Sequence, residues 1–373
     1  MSNIRHFLHA HPELSGNEHD THDFIVKYLS ALNPDSLFQH IGGYGVIAVF
    51  NGREKGCNVA FRSDIDALPI QENNDIPYKS TVSNVSHKCG HDGHTAILLS
   101  LAEKISHNRP QKGNIILVFQ PEEETGYGAQ KIVDSGVLDE LNTNVIFGIH
   151  NLPNFPEKSI VIKYGTFAAA SCGLAVNLTG RQTHAAHPEN GINPGLAVAE
   201  MINFLSSINN GDLSPEKFQQ GTLIYTRIGE VAFGTSAGDA QIMTTLRAFS
   251  NSKMQNLVDN VINTFKEISS RHHLDFDYHF QDNFAAVENN TVFVDKIKET
   301  AQNGNFNIVE IEEPFRWSED FSNYLKHYPG AFFGIGDGLN HPELHSPIYD
   351  FPDSIIDTAS DFEIALFKTL NEK

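Results

Sequence analysis

The sequence has few basic residues for its length. Among 373 residues, 26 Lys and Arg stand against 46 Asp and Glu, so the formal net charge is −20. A field of this sign repels nucleic-acid phosphates and anionic membrane surfaces. We therefore expect neither nucleic acid nor a membrane among the partners of this protein.

Cysteine and long apolar runs are also scarce. The three cysteines, Cys57, Cys89 and Cys172, are too few and too scattered for a disulfide framework, which favours a reducing compartment. The longest apolar runs, such as residues 115–119, fall far short of the roughly 20 residues that span a bilayer. Residues 1–14 mix Arg, His and Glu and lack the apolar core of a signal peptide. These features predict a cytoplasmic protein.

The sequence does contain enough apolar material for a folded core. Hydrophobic residues make up 40% of the chain and aromatic residues 10%, which is typical of globular proteins rather than acidic disordered ones. At about 150 residues per domain, the length suggests two domains. Histidine is unusually frequent, with 19 residues against 26 Lys and Arg together.

The outer parts of the chain alternate short β-rich runs with helical patterns. This alternation is typical of a largely parallel sheet between layers of helices, an α/β/α arrangement. Apolar spacing between Cys89 and Arg109 predicts a crossover helix, and residues 355–370 predict a helical tail. The β-rich runs are 46–50, 58–62, 114–119, 144–149 and 331–335.

The central part of the chain follows a β-α-β-β-α-β order. Strands are predicted at 174–178, 222–229, 241–249 and 275–280, and helices at 194–208 and 254–271. This order is the split βαβ pattern of a ferredoxin-like module. We therefore predict a discontinuous first domain, 1–173 and 285–373, and an inserted α+β domain, 174–284.

Side chains of the types that bind metals in proteins follow the predicted strands of the first domain. They are Asp64 and Asp66, Glu122 to Glu124, His150 and His345, with Cys89 and His91 at the start of the crossover helix. The carboxyl ends of strands in an open α/β sheet line one crevice. Thiolate, imidazole and carboxylate together suit zinc or a similar divalent ion, and this many groups can hold two ions. A glutamate that is not a ligand could accept the proton of a water molecule.

Each of these residues, taken alone, has a structural explanation. A single cysteine is more often a small buried hydrophobe, adjacent glutamates usually form a solvated loop, and isolated histidines are usually hydrogen-bonded. Asp64 and Asp66 could be turn or capping residues. The coincidence of four such groups at corresponding strand ends favours a metal centre.

Eight phrases of the sequence carry a resemblance to a known family. They are HPELSGNE (11–18), RSDIDALPI (62–70), HKCGHDGHTAILL (87–99), FQPEEE (119–124), GIHNLP (148–153), GRQTHAAHPENGINP (180–194), SEDFS (318–322) and HSPIYDF (345–351). In this order, over nearly the whole chain, they resemble the aminoacylase and indole-acetyl-amino-acid hydrolase branch of the dinuclear-metal amidohydrolases and peptidases. The resemblance implies a zinc-peptidase-like catalytic domain with an inserted lid and dimerisation domain.

The resemblance also implies roles for particular residues. The implied ligands of two divalent ions, such as Zn or Mn, are Cys89, His91, Glu124, His150 and His345. Glu123 matches the general base, and Asp66 matches the acid behind the first imidazole. His184 matches the residue that stabilises the oxyanion, in related enzymes from the neighbouring subunit of a dimer. Arg247 occupies the position of an Arg that holds a substrate carboxylate.

The chain departs from the family pattern at two places. Glu122 replaces an Ala and Thr125 a Gly, and counting from the preceding proline assigns the base to Glu123 and the ligand to Glu124. In the lid, residues 232–238 replace an Asn-Val-Ile-Pro type of turn, so the substrate preference of relatives does not transfer.

These observations together predict a metal-dependent amidohydrolase that acts as a homodimer. Metal-activated water would remove the acyl group from an N-acyl amino acid or a similar small amide. A metallo-dipeptidase or aminopeptidase of the same family is the first alternative, and it would need an acidic subsite for a free α-amine. A hydrolase with Cys89 as nucleophile, which would survive metal removal, and a non-catalytic metal-binding protein are more distant alternatives.

Overall fold

The computed structural model describes residues 1–209, 211–212, 214 and 217–371. These residues form two compact units. Unit 1 comprises the described residues within 1–167, 287–312 and 319–373, and unit 2 those within 168–286 and 313–318. Within the described ranges, no helix is both long and apolar enough to cross a membrane.

Helices and strands alternate along unit 1, whereas unit 2 has the order β-α-β-β-α-β in its main elements. In the described chain the α-helices are α1 (Ser2–Ala10), α2 (His19–Ala31), α3 (His91–His107), α4 (Gly128–Asp134), α5 (Val137–Glu140), α6 (Gly195–Ile208), α7 (Asn251–Arg271), α8 (Thr291–Asn303), α9 (Ser322–Leu325) and α10 (Ile356–Asn371). The strands are β1 (Ser36–Ile41), β2 (Gly45–Asn51), β3 (Glu54–Asp64), β4 (Lys112–Gln120), β5 (Val145–Pro153), β6 (Ile160–Ile162), β7 (Gly165–Ala168), β8 (Ala170–Thr179), β9 (Thr183–His184), β10 (Gln219–Ile228), β11 (Thr235–Ser236), β12 (Asp239–Ala248), β13 (Asp275–Phe284), β14 (Val287–Asn289), β15 (Ile308–Glu310) and β16 (Gly330–Gly338). Each element that the sequence predicts is present, with ends shifted by a few residues.

The main sheet of unit 1 has eight strands in the order β1-β2-β4-β3-β5-β16-β6-β15. The predicted parallel arrangement holds in the centre, where β3 is parallel to β4 and β5, and β16 is parallel to β5. β2 is one exception within this largely parallel sheet, since it is antiparallel to β4. Only residues 52 and 53 join β2 to β3, so β2 runs opposite to β3 and therefore opposite to β4, which is parallel to β3.

β5 buries all of its residues and β16 all but the last, and β3 and β4 are buried towards their carboxyl ends, as expected for a sheet covered on both faces. Their side chains share one hydrophobic core with the buried faces of α3, α8 and α10. The four strands β3, β4, β5 and β16 end at Asp64, Gln120, Pro153 and Gly338. Because these strands are parallel, their carboxyl ends form one edge of the sheet.

Unit 2 is built around an antiparallel sheet in the order β10-β12-β8-β13. Every second residue of β12 is buried, and these residues pack with α6 and α7 in a separate core. The element order β8-α6-β10-β12-α7-β13 is the ferredoxin-like arrangement predicted from the sequence.

The limits of unit 2 differ from the predicted insert, 174–284. The first strand of the unit begins at Ala170, before the predicted limit. Residues 313–318, which the prediction places in the first domain, belong to unit 2. Backbone hydrogen bonds hold residues 313–318 to unit 2, because the Ala169 N–H donates to the carbonyl oxygens of both Phe315 and Trp317, each at 3.0 Å.

Candidate metal centre

The start of α3 carries two of the predicted ligands, Cys89 and His91. Gly90 between them has φ +100°, a conformation that residues with a Cβ rarely adopt. A Cβ on Gly90 would lie 2.5 Å from the Asn151 side-chain oxygen of β5. Glycine therefore lets the chain turn tightly against β5, which brings both side chains to the edge of the sheet.

The turn after β4 carries the three glutamates. Glu122 has φ +55°, and its N–H donates to Glu18 Oε1 at 2.9 Å. The Glu122 carboxylate pairs with Lys131 at 2.6 Å, outside the cluster of metal-type groups. Glu124 points inward, and its N–H donates to Asp66 Oδ2 at 3.0 Å. The turn thus separates Glu122 from Glu124.

His150 and His345 come from two other segments of unit 1. The sequence places His150 after a strand, but β5 continues to Pro153 because His150 pairs in register with Gly334 of β16. His345 lies in the loop after β16 with φ +64°. Its N–H donates to the carbonyl of Lys88 at 2.7 Å, which fixes this loop beside Cys89.

These segments bring the five predicted ligands together in two overlapping groups. One group is Cys89, His91 and His150, and the other is Cys89, Glu124 and His345; within each, the ligand atoms lie within 4.8 Å of one another. Cys89 Sγ is 3.5 Å from His150 Nε2, and Glu124 Oε1 is 3.6 Å from His345 Nε2. Cys89 belongs to both groups.

Two atoms of the cluster have no hydrogen-bond partner. His91 Nε2 and Glu124 Oε1 are buried without a hydrogen bond and lie 3.8 Å apart. Burying such groups unsatisfied costs free energy, so each signals a missing binding partner. The donor set of thiol, imidazole and carboxylate suits divalent transition ions. The residues therefore fit the two metal ions that the resemblance implies.

The electrostatics of the cluster also favour a cation. Burial raises the pKa of the Cys89 thiol well above its usual range, and the charge of Glu124 raises it further. Burial likewise raises the pKa of Glu124 to about 7, against the opposing effect of His91. A bound cation reverses such shifts, because it stabilises thiolate and carboxylate.

Glu123 lies beside the ligands with only 6% of its surface exposed. Its Oε1 is 3.4 Å from the N–H of Asp320. Burial raises the pKa of Glu123 well above its usual range, and the nearby Glu319 and Glu124 carboxylates add to the effect. A carboxyl group in this environment has a high proton affinity, as a general base requires.

Further side chains orient the ligands. Asp66 Oδ1 is 3.1 Å from His91 Nδ1, and Ser15 donates to Asp66 Oδ2 at 2.7 Å. The His150 Nδ1–H donates to the carbonyl of Asn151 at 2.8 Å. Such contacts fix which ring nitrogen of a histidine faces a metal.

Sequence reasoning gave no role to several of these groups. Ser15 and Glu18 belong to the phrase HPELSGNE, whose function was unassigned, and the structure places them against Asp66 and the Glu122 turn. The sequence places Asp64 among the metal-type groups and also allows a turn or capping role for it; its Oδ2 is 3.5 Å from His91 Nε2. His94 has no role in the prediction. The second histidine of the phrase HDGH, three residues after the predicted ligand His91, is the sequence feature that could have indicated one.

His184 and Arg247 belong to unit 2. His184 is exposed in β9, where it pairs with Thr235 of β11. Arg247 donates to the carbonyl of Arg316 at 2.8 Å and to the Ser318 hydroxyl at 3.0 Å. Their predicted roles in oxyanion and carboxylate binding stay predictions.

An α/β sheet with metal-type donors at its carboxyl edge and a ferredoxin-like insert defines a metal-dependent hydrolase. The model of peptidase family M20/M25/M40 matches residues 60–368, and the chain belongs to this family. The family, the α/β fold with its insert and the hydrolase class predicted from the sequence are confirmed.

Curated relatives match almost the full chain. N-acetylcysteine deacetylase of Bacillus subtilis (strain 168) is 31% identical over 364 residues, covering 97% of this chain and 94% of the relative. N-acetyldiaminopimelate deacetylase of Lactobacillus helveticus (strain DPC 4571) is 28% identical over 353 residues, covering 92% and 90%. Among solved structures, the YXEP protein of Bacillus subtilis, described as a dinuclear metal binding peptidase of the M20 family, has a TM-score of 0.86 and 28% identity, with 100% and 97% coverage.

Proposed function

We propose that this protein is a metal-dependent amidohydrolase that removes the acyl group from an N-acyl amino acid or a similar small amide. The observation that carries the proposal is the pair of donor groups sharing Cys89, with the unpartnered atoms His91 Nε2 and Glu124 Oε1 between them. Two relatives that span nearly the whole chain are named as deacetylases of N-acetylated amino acids, which supports this substrate class.

Five residues would hold two divalent ions: Cys89, His91, Glu124, His150 and His345. Bound there, such ions supply Lewis acidity and water of lowered pKa. Asp66 holds the His91 ring from behind, and the Asn151 carbonyl holds His150, so their Nε2 atoms stay directed into the cluster.

Glu123 acts as the general base in this proposal. Its carboxylate takes a proton from the attacking water and delivers it to the nitrogen of the departing amine. Burial and the neighbouring Glu319 and Glu124 charges support this role, because they raise the proton affinity of Glu123.

His184 and Arg247, both in unit 2, have the roles that the resemblance implies in this proposal. His184 would donate to the oxyanion that forms on the amide carbonyl, and Arg247 would bind the substrate carboxylate. The resemblance supports both roles, and the two-stranded β9–β11 ladder supports a fixed position for the His184 backbone.

We infer in addition a homodimer through unit 2, in a cytoplasmic setting. β10 is an edge strand of its sheet, and it exposes large apolar side chains at Leu223, Ile224, Tyr225 and Ile228. An edge strand with such side chains favours pairing with another chain. A second copy is the occupant we propose.

A substrate panel with and without metal tests the function. We expect hydrolysis of N-acetyl amino acids, loss of activity after chelation and recovery with zinc or manganese. Turnover of dipeptides but not of acetylated amino acids would favour the peptidase alternative. Activity that survives chelation would favour Cys89 as a nucleophile, a role that the raised pKa of its buried thiol disfavours.

A further inference from the structure

His94 is a fully buried histidine beside the metal-type groups that has no assigned role. Its Nδ1 is 2.6 Å from Asp64 Oδ1, and its Nε2 is 2.6 Å from Asn151 Oδ1. Asp64, His91 and His94 also lie close enough together to hold an ion. The question is therefore whether His94 is a ligand or supports the ligands.

The orientation of the Asn151 amide decides which groups donate. Asn151 Nδ2 is 3.1 Å from Asp337 Oδ2 and 2.5 Å from the hydroxyl of Tyr349. The Tyr349 hydroxyl donates to the same Asp337 oxygen at 2.9 Å. The Tyr349 hydroxyl already donates its hydrogen to Asp337, so both the Asp337 carboxylate and the Tyr349 oxygen accept from Asn151. The amide nitrogen of Asn151 therefore faces these two groups, and its amide oxygen faces His94.

Both ring nitrogens of His94 are held by protein groups. Nδ1 faces the Asp64 carboxylate, and Nε2 lies 3.2 Å from the backbone N–H of Asn151 and 2.6 Å from its side-chain oxygen. Neither ring nitrogen is left over for a metal ion. His94 therefore supports the ligands and is not one of them.

The acceptor on one side of His94 is itself fixed. Asp64 Oδ2 accepts a hydrogen bond from Arg62 at 2.8 Å. The fully buried Arg62 guanidinium is anchored by Glu319 and Asp320, both at 2.9 Å. Asp64 therefore offers a stationary carboxylate at the end of β3.

The acceptor on the other side touches the ligands directly. The Asn151 carbonyl accepts from His150 Nδ1 at 2.8 Å, which leaves His150 Nε2 facing Cys89 Sγ at 3.5 Å. The Asn151 side-chain oxygen also lies against Gly90, between Cys89 and His91. A shift of Asn151 would move these ligands relative to one another.

We propose that His94 is a positioning residue, a hydrogen-bonded bridge from Asp64 to Asn151 that holds Cys89 and His150 in place for metal binding. The inference rests on the proposed metal centre. It predicts that loss of the bridge weakens metal binding, most strongly for the ion of the Cys89, His91 and His150 group.

The test is metal binding by His94→Phe, which keeps an aromatic ring and removes both ring nitrogens. Metal-free protein is titrated with cobalt alone; the thiolate-to-cobalt absorption reports Cys89, and elemental analysis gives the stoichiometry. We expect one ion to bind about 10- to 100-fold more weakly and the other to be weakened less. The matched control is His22→Phe, a buried histidine of α2 that contacts the Tyr44 carbonyl, and it should bind as the wild type does.

Two outcomes separate this inference from the proposed function. A wild type that binds no ion overturns the proposed function. A wild type that binds two ions, matched by His94→Phe in stoichiometry, affinity and absorption, overturns only the role of His94.

A second measurement uses the wild-type protein and does not depend on a variant that folds. Nitrogen-15 spectra of labelled histidine should show that the His94 ring takes no metal-bound shift when zinc is added. The signal missing in His94→Gln assigns that ring. A His94 nitrogen that takes a metal-bound shift with zinc overturns the inference.

Discussion

Glu122, Glu123 and Glu124 are adjacent in the chain but have different surroundings. Glu122 pairs with Lys131, Glu123 is buried near Glu319, and Glu124 approaches His91 and His345. The left-handed conformation of Glu122 turns the chain so that the three side chains diverge. At the residue scale, this divergence gives each carboxylate a distinct chemistry.

Replacing Glu123 with Gln should stop turnover and leave the ligands in place. The amide cannot accept the proton of the attacking water, and the loss of a general base costs about 10²–10⁴-fold in kcat. Steady-state kinetics and metal analysis of Glu123→Gln measure both properties. Glu122→Gln is the matched control and should keep wild-type kcat; near-normal turnover by Glu123→Gln would contradict the assigned base.

A second prediction at this scale concerns stability and pH through Glu363 of α10. Burial raises the pKa of Glu363 to about 8, only partly offset by Lys104, and its Oε2 has no hydrogen-bond partner. The folded pKa exceeds the unfolded value, so the folded state favours the neutral acid. The stability that the neutral Glu363 carboxyl contributes is complete below its pKa in the unfolded chain, near 4.3, and is lost as the pH rises to about 8.

Glu363→Gln should therefore be more stable than the wild type at pH 9, by on the order of 2–4 kcal/mol, and similar to it at pH 4. Denaturant unfolding at the two pH values measures this difference. Glu140→Gln, at an exposed position of α5, should match the wild type at both. A Glu363→Gln variant that gains no stability at high pH would show that the carboxyl is not neutral in the folded state.

At the element scale, the start of α3 is the most constrained point of the metal centre. Gly90 carries the turn that allows Cys89 and His91 to flank it, and the Asn151 side chain occupies the space of a Cβ. The helix behind this turn is almost wholly buried, so the turn cannot be relieved by moving α3 outward.

Gly90→Ala should lose both stability and metal affinity. The positive φ alone costs about 1–3 kcal/mol for a residue with a Cβ, and the 2.5 Å contact with Asn151 adds to it. Gly136→Ala is a matched control, since Gly136 has φ +72° with nothing within 4 Å of its Cβ. We expect the control to lose about 1 kcal/mol and to keep its metal affinity, as measured by unfolding and metal titration. Equal metal affinity in both variants would refute the role of the turn.

At the scale of the whole molecule, each of the two units has a hydrophobic core of its own among the described residues. The core of unit 1 joins the eight-stranded sheet to its helices, and that of unit 2 joins the four-stranded sheet to α6 and α7. The predicted catalytic residues divide between the units, with Glu123 in the first and His184 in the second. The proposed dimer connects this division to function.

Ile224→Arg should convert the proposed dimer into monomers. Ile224 is 60% exposed at a bulge in the edge strand β10, and a charge at such a position opposes pairing between chains. Light scattering measures the mass, and we expect the monomer to keep its metal and to lose turnover if His184 acts across the interface. Val292→Arg, at a 61% exposed position of α8 in unit 1, is the control. A wild type that is monomeric would contradict the proposal.

The helices, strands and ligand types could be predicted because their signals are local. The apolar spacing of α3 and the alternation in β12 are visible in neighbouring residues, and the metal-type residues sit beside strand ends. The prediction of a largely parallel sheet does not include the direction of β2, which follows from its two-residue link to β3. His150 was placed outside its strand, because pairing with Gly334 is not visible in the sequence near it.

The sequence by itself determined the family, the order of the elements and the donor types of the metal centre, since these depend on composition and spacing along the chain. Only the tertiary structure decided which atoms meet. His94 and Asn151 are 57 residues apart, and the Asn151 amide also contacts a third partner, Asp337, 186 residues beyond Asn151. Burial then makes these distant contacts decisive, because a buried polar atom must find its partner within the protein or in a bound ion.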